Sequence, residues 1–238
     1  MNATANPELA RFRAAGVRHA VLLRVLPGLR HELANPVSIL RMTSRVLQRR
    51  LEATPIDVGY VAERVAALDA QTDALTDTLD LLQNLIVGPE VGSVTRPLLV
   101  VGCVGLLAPA LRMQGITLEV EAGLGFAAAS SASDSEPLWP RASALRYLLL
   151  AAICHLEDSA PALERVRIEP EGSDALRLRW FTRAGGSRSP ELMPGFASAN
   201  RNGDELHLDA ASIDFLSHDL GHRVGFDDAG IVLHLAAA

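Results

Sequence analysis

A histidine, an acid, an amide and a proline stand at fixed offsets within residues 29–39: His31, Glu32, Asn35 and Pro36. Together they have the makings of a nucleophilic site. Neutral imidazole attacks with one ring nitrogen, and a hydrogen bond at the other fixes the tautomer and raises basicity. Glu32 is the candidate for that hydrogen bond, or for a base. Asn35 lies one helical turn after His31, where side chains at i and i+4 meet. Its amide suits orienting a water or a phosphoryl oxygen. Pro36 removes a backbone hydrogen bond and crowds the preceding turn, so it loosens or bends a helix just past the histidine. The competing reading is an ordinary solvated histidine beside an ordinary surface acid.

Two long helices must position these residues. Leu22, Leu26, Leu29, Leu33, Val37, Leu40, Leu47 and Leu51 follow one another at steps of three, four or seven, which is a heptad stripe. At about 100° per residue they share an arc roughly 80° wide, and His31 lies about 170° from its centre. His31 and Asn35 are therefore expected on the solvent side, with Glu32 between that face and the seam. Pro27-Gly28 predicts a bend or restart early in this helix. Residues 52–58 carry Thr54, Pro55 and Asp57, which suits a turn and a new N-terminus. A second stripe follows at steps of three and four: Val61, Val65, Leu68, Thr72, Leu75, Leu79, Leu82 and Ile86. One antiparallel hairpin cannot bury both seams, whereas two hairpins from two chains make a four-helix bundle.

The rest of the chain alternates. Residues 87–97 read as a linker, with Gly88, Pro89, Gly92 and Pro97. Helices are expected over 98–114, 141–157 and 209–220, the last with Asp209 as N-cap and Gly221 as its stop. Strands are expected over 116–120, 165–169, 175–182 and 230–235, and loops over 126–136 and 184–204. This pattern implies helices on one face of a mixed sheet.

Composition narrows the classes. The chain has 238 residues, 49% of them hydrophobic, a net charge of -6 and two cysteines. The charge argues against general nucleic-acid binding. Cys103 and Cys154 sit in apolar surroundings and read as small core residues in a reducing compartment. Apolar runs such as 97–108 fall short of the roughly 18 residues a membrane span needs. The N-terminus lacks the pattern of a signal peptide, so a cytoplasmic protein is expected. About 16 residues precede the first apolar-periodic segment, too few for a sensor domain, so input is expected from a partner. Other candidates are weaker. His218 and His222 stand at i and i+4, but Gly221 ends the helix between them. Gly123-Leu124-Gly125 reads as a turn, and the acid pairs Glu157-Asp158 and Asp227-Asp228 as solvated helix ends or turns. Arg45, Arg49 and Arg50 form a basic patch, solvated or facing an acidic partner.

His31-Glu32-Leu33-Ala34-Asn35-Pro36 resembles the phosphoacceptor box of two-component histidine kinases, His-Glu-x-x-Thr/Asn-Pro. The hairpin is similar to that family's dimerisation and histidine phosphotransfer domain. The resemblance covers most of residues 20–238. Residues 94–120 are similar to the opening helix and strand of the kinase ATP-binding domain, 141–153 stand where its N-box helix stands, and 209–235 are similar to its last helix and strands. The departures are as informative. The N-box asparagine that holds magnesium is replaced in Tyr147-Leu148-Leu149-Leu150-Ala151-Ala152, and an alanine side chain cannot ligate a cation. The stretch matching the adenine-reading loop, 179–187, has Gly185 and Gly186 but no acid, and 206–220 contain no glycine.

The expected fold is α+β: a helical hairpin over residues 1–90 forming a dimeric four-helix bundle, then a degenerate ATP-binding-like α/β sandwich over 95–238. The resemblance implies a histidine phosphotransferase in a phosphorelay, closest in type to dimeric histidine phosphotransferases. His31 would carry the phosphoryl group, with Glu32 and Asn35 assisting. The partners would be receiver domains of response regulators and a second copy of the chain, with no nucleic acid and no membrane. The receiver would supply magnesium, so no cofactor of its own is expected, ATP included. Two alternatives stand: a histidine kinase or phosphatase with a divergent ATP site, and a non-catalytic pseudokinase scaffold.

Overall fold

The computed structural model describes residues 7–52, 56–86, 92–130, 136–160, 162–183 and 206–237. Its elements are α1 (Pro7–Leu51), α2 (Val58–Ile86), β1 (Ser93–Val94), α3 (Arg96–Met113), β2 (Thr117–Val120), α4 (Phe126–Ser130), β3 (Trp139–Pro140), α5 (Ala142–Ser159), β4 (Leu163–Glu171), β5 (Ala175–Thr182), α6 (Ala210–Leu220), β6 (His222–Asp227) and β7 (Gly230–Ala237). The coarse expectation of long N-terminal helices followed by a small mixed sheet matches these elements.

Local chemistry explains the helix ends. Asp57 Oδ1 accepts the Tyr60 amide at 3.0 Å and starts α2. Thr54 and Pro55 of the expected turn, and Gly88 and Pro89 of the expected linker, lie outside the described residues. So does the whole of the loop expected over 184–204, with Gly185 and Gly186. Asp209 Oδ1 accepts the Ser212 amide at 2.8 Å, and Gly221 ends α6 in a left-handed conformation at φ 64°. Two expectations were too simple. α1 neither breaks nor restarts at Pro27-Gly28 but runs from Pro7 to Leu51 with both prolines inside it. Residues 126–130 form a short helix where a loop was expected.

The five-stranded sheet has the order β2-β4-β5-β7-β6. β2 and β4 are parallel, with α5 in the crossover, and the other neighbours are antiparallel. Val166, Ile168, Leu176, Leu178, Ile231 and Leu233 point inward and are buried. The alternate residues form a charged outer face. Arg167 stands directly opposite Arg179, a repulsive placement relieved by Glu169, which pairs with both. Arg177 bonds both Glu171 and Asp227 at the rim. The sheet thus has one apolar and one polar face, and its apolar face needs a cover.

That cover is two helical layers deep. α3, α5 and α6 pack against the sheet, α5 packs against both α3 and α6, and the first half of α1 lies across all three. α5 is consequently buried on almost every side, from Ala142 to Leu156. Ala14, Val17, Val21 and Val25 face this layer with at most 3% exposure. These positions, with Arg24 and Gly28, form a second periodic stripe on α1, distinct from the leucine stripe. Gly28 permits the closest approach: a Cβ there would fall 1.9 Å from the Leu106 carbonyl oxygen of α3. The helices meet backbone to backbone at this crossing, so the glycine is needed for contact.

α3 reaches a span-like length, against the expectation that the apolar runs are too short: Arg96–Met113 has a mean hydropathy of 1.5. Its buried face, including Leu99, Cys103, Leu106 and Leu107, belongs to the core. Burial pushes the thiols of Cys103 and Cys154 up to about 12, so both stay protonated and unreactive near neutrality.

Candidate functional site

α1 places His31 one turn beyond Gly28, just past the point where it crosses α3. Both His31 and Asn35 are exposed, Glu32 is half-buried, and Pro36 is buried. The outward placement expected from the stripe is therefore what the helix presents. At about 100° per residue, His31 and Asn35 continue the second stripe, the one that docks onto the α/β unit. The histidine thus faces the same side of the hairpin as that unit, just beyond its edge. No side-chain hydrogen bond joins His31 to Glu32 or Asn35 among the described residues. Glu32 points about 100° away from His31 around the helix, so it is not placed as the imidazole's partner in this conformation. Ile39 and Met42 flank the same face, and Met42 is 70% exposed.

One buried polar cluster escaped the sequence reading. Asp158, expected to be a solvated helix end, is 4% exposed. Its Oδ2 accepts Arg24 Nη2 at 2.7 Å and the Leu208 amide at 2.7 Å. Arg24 also donates to the carbonyls of Cys154 at 3.3 Å and Leu206 at 2.9 Å. The cluster ties α1, the end of α5 and the segment before α6 into one unit. Arg24 sits in a stripe of small apolar residues, and an arginine in that setting signals a buried acidic partner. The Tyr147 hydroxyl donates to the Leu85 carbonyl and ties α5 to the end of α2 in the same way.

His155 lies beside this cluster. Its Nδ1 stands 2.7 Å from the Leu208 carbonyl, which assigns the proton to Nδ1, and its ring meets Phe226 edge to face. Burial holds the imidazole below its usual range, although the Leu208 carbonyl and Asp158 oppose the shift. His222 is lowered too, by burial and by Arg141. Below the ordinary imidazole range, about 6.5, the unfolded chain therefore binds more protons than the folded one, and stability falls as pH drops. Urea unfolding at pH 7.5 and at pH 5.5 is expected to show a lower midpoint in acid. His155→Gln is expected to flatten that dependence in part, with His222 supplying the rest.

The other candidates separate in space. His218 is exposed whereas His222 is buried in β6, so they form no pair. Among the described residues no group of three His, Cys, Asp or Glu side chains is placed to hold a metal ion. Ala151 stands in the middle of α5 with no exposed surface. Arg45 and Arg49 are exposed, while Arg50 stacks over Tyr60 at 5.4 Å.

No family model matches the chain. It is 30% identical over 118 residues to the two-component sensor PprA of Pseudomonas aeruginosa, an alignment covering 46% of this chain. The chain spans 12% of the length of that protein. Among solved structures, the histidine kinase AdeS of Acinetobacter baumannii aligns over 87% of this chain and 98% of that one, at 13% identity and a TM-score of 0.34. The sequence likeness is thus to one part of a two-component sensor.

Proposed function

We propose that the chain is a histidine phosphotransferase that takes a phosphoryl group onto His31 from the aspartyl phosphate of a receiver domain and returns it to another. The observation that carries this reading is the exposure of His31 and Asn35, one turn apart, on a helix whose preceding half covers α5. An imidazole nitrogen attacks phosphorus, a P–N bond forms, the P–O bond to the aspartate breaks, and the carboxylate leaves with the electron pair. Asn35 orients a phosphoryl oxygen through its amide N–H. The receiver supplies magnesium and its own acidic pocket. Glu32 becomes the imidazole's hydrogen-bond partner only through a rotation that docking would select.

The covered state of α5 supports a donor outside the chain. The helix that would hold a nucleotide in a kinase here has Ala151 buried and α1 packed across its layer. The hairpin is a dimerisation element in this reading, because Leu26, Val37 and Leu51 of the first stripe and Val65, Thr72 and Leu79 of the second are exposed in a single chain. Purified protein is expected to take no label from magnesium and ATP, and to show no shift in melting temperature with nucleotide. Magnesium-dependent labelling by ATP would replace this reading with that of a kinase having a divergent site.

A further inference from the structure

In the dimeric reading given above a second copy of this chain covers the open face of the hairpin; we propose that Arg30 and Arg41 of each copy pair with Asp80 and Asp69 of the other. The proposal deepens the dimeric reading given above and rests on it. Three observations carry it. The first is apolar. On α1, Leu26 and Val37 are 48% and 49% exposed, and on α2 Val65 and Leu79 are 45% and 44% exposed. They belong to the two leucine-type stripes, and in an antiparallel hairpin these uncovered flanks share one face. The α/β unit sits on the opposite face, where it buries Val17, Val21 and Val25, so it does not obstruct a partner.

The second observation is charge. At about 100° per residue, Arg30 and Arg41 lie within about 20° of each other and next to Val37. Asp69 and Asp80 lie as close together, next round α2 from Val65. All four are exposed, and none is in an ion pair among the described residues. Asp69, Asp73 and Asp77 follow at intervals of four, a like-charge arrangement that weakens a lone helix. The proposed pairing relieves this row at Asp69.

The third observation is level. Arg50 stacks over Tyr60 at the closed end of the hairpin. Both helices rise by about 1.5 Å per residue, so Arg41 stands level with Asp69, and Arg30 with Asp80. Within one hairpin the two rows lie on opposite flanks of the open face. A two-fold axis parallel to the helices keeps each level and sets α1 beside the partner's α2, which brings arginine row to aspartate row on both sides.

The test uses the full chain and two one-sided variants, Arg30→Glu with Arg41→Glu and Asp69→Arg with Asp80→Arg. At low salt each variant alone is expected to dimerise at least about tenfold more weakly than the unmodified chain, from attraction turned to repulsion at four exposed pairs. Mixed together, the two are expected to form the mixed dimer in excess by native mass spectrometry, since both interfaces are then complementary. Recovery on mixing also shows that the variants are folded. If the unmodified chain dimerises and each variant does so equally well, the charge pairing is wrong and the dimer stands. If the unmodified chain is a monomer at micromolar concentration, the dimer reading and this pairing both fall.

Discussion

Replacing His31 with alanine is expected to reduce phosphoryl transfer to the level of receiver without acceptor. The substitution removes the imidazole from that face of α1, where the Ser38 hydroxyl donates to the Ala34 carbonyl and, un-ionised, is a far weaker nucleophile. Asn35 is a neutral amide, and Ile39 and Met42 on the same face are apolar. Because His31 is exposed and makes no side-chain hydrogen bond among the described residues, the fold is expected to change by less than about 0.5 kcal/mol. The loss is therefore chemical and not structural. Asn35→Ala is expected to slow transfer without abolishing it, since it removes an orienting group and leaves the attacking atom. Rates of label transfer, set beside urea unfolding of the same variants, separate the two effects. Transfer that persists in His31→Ala would assign the acceptor elsewhere.

Asp158→Ala is expected to cost about 3–5 kcal/mol, the range for removing one member of a buried pair. The side chains of Arg24 and Asp158 are 8% and 1% exposed. Removing the acid strands the guanidinium and leaves the Leu208 amide without its acceptor, and each group was desolvated on folding. Arg24→Met is expected to be damaging as well, because it leaves a buried carboxylate without its cation. Combining Arg24→Met with Asp158→Leu is expected to lose less than the sum, since no charge then remains to be stranded. Urea unfolding of the four chains gives the coupling. Amide hydrogen exchange over residues 14–28 of α1 is expected to accelerate in Asp158→Ala, because the clasp holds that half of the helix on the α/β unit. A loss under about 1 kcal/mol would mean that apolar packing alone holds α1 down.

Local signals and distant ones explain what could be read from the sequence. α2, the start of α6 at Asp209 and its end at Gly221 were legible because periodicity and capping act within a few residues. The outward placement of His31 followed from the stripe alone. Asp158 was misread because its partner, Arg24, is 134 positions away, and no window reports such a contact. The docking stripe of α1 was overlooked for a related reason. Ala14, Val17, Val21, Arg24 and Gly28 are small or charged, and the leucines beside them dominate the pattern. Pro27-Gly28 looked like a break because turn residues usually mark one. In the fold the proline is carried within the helix, and the glycine admits the Leu106 carbonyl. The relation of His31 to the α/β unit was likewise invisible, since it depends on which face of α1 docks.

The central claim is that His31 receives its phosphoryl group from outside the chain. The most direct measurement follows label from a phosphorylated receiver domain into the purified protein without nucleotide, then locates it by mass mapping. The account predicts an acid-labile, base-stable label on the peptide carrying His31, and none on that peptide after incubation with magnesium and ATP. Label drawn from ATP and not from any receiver, or label on another residue, would contradict it.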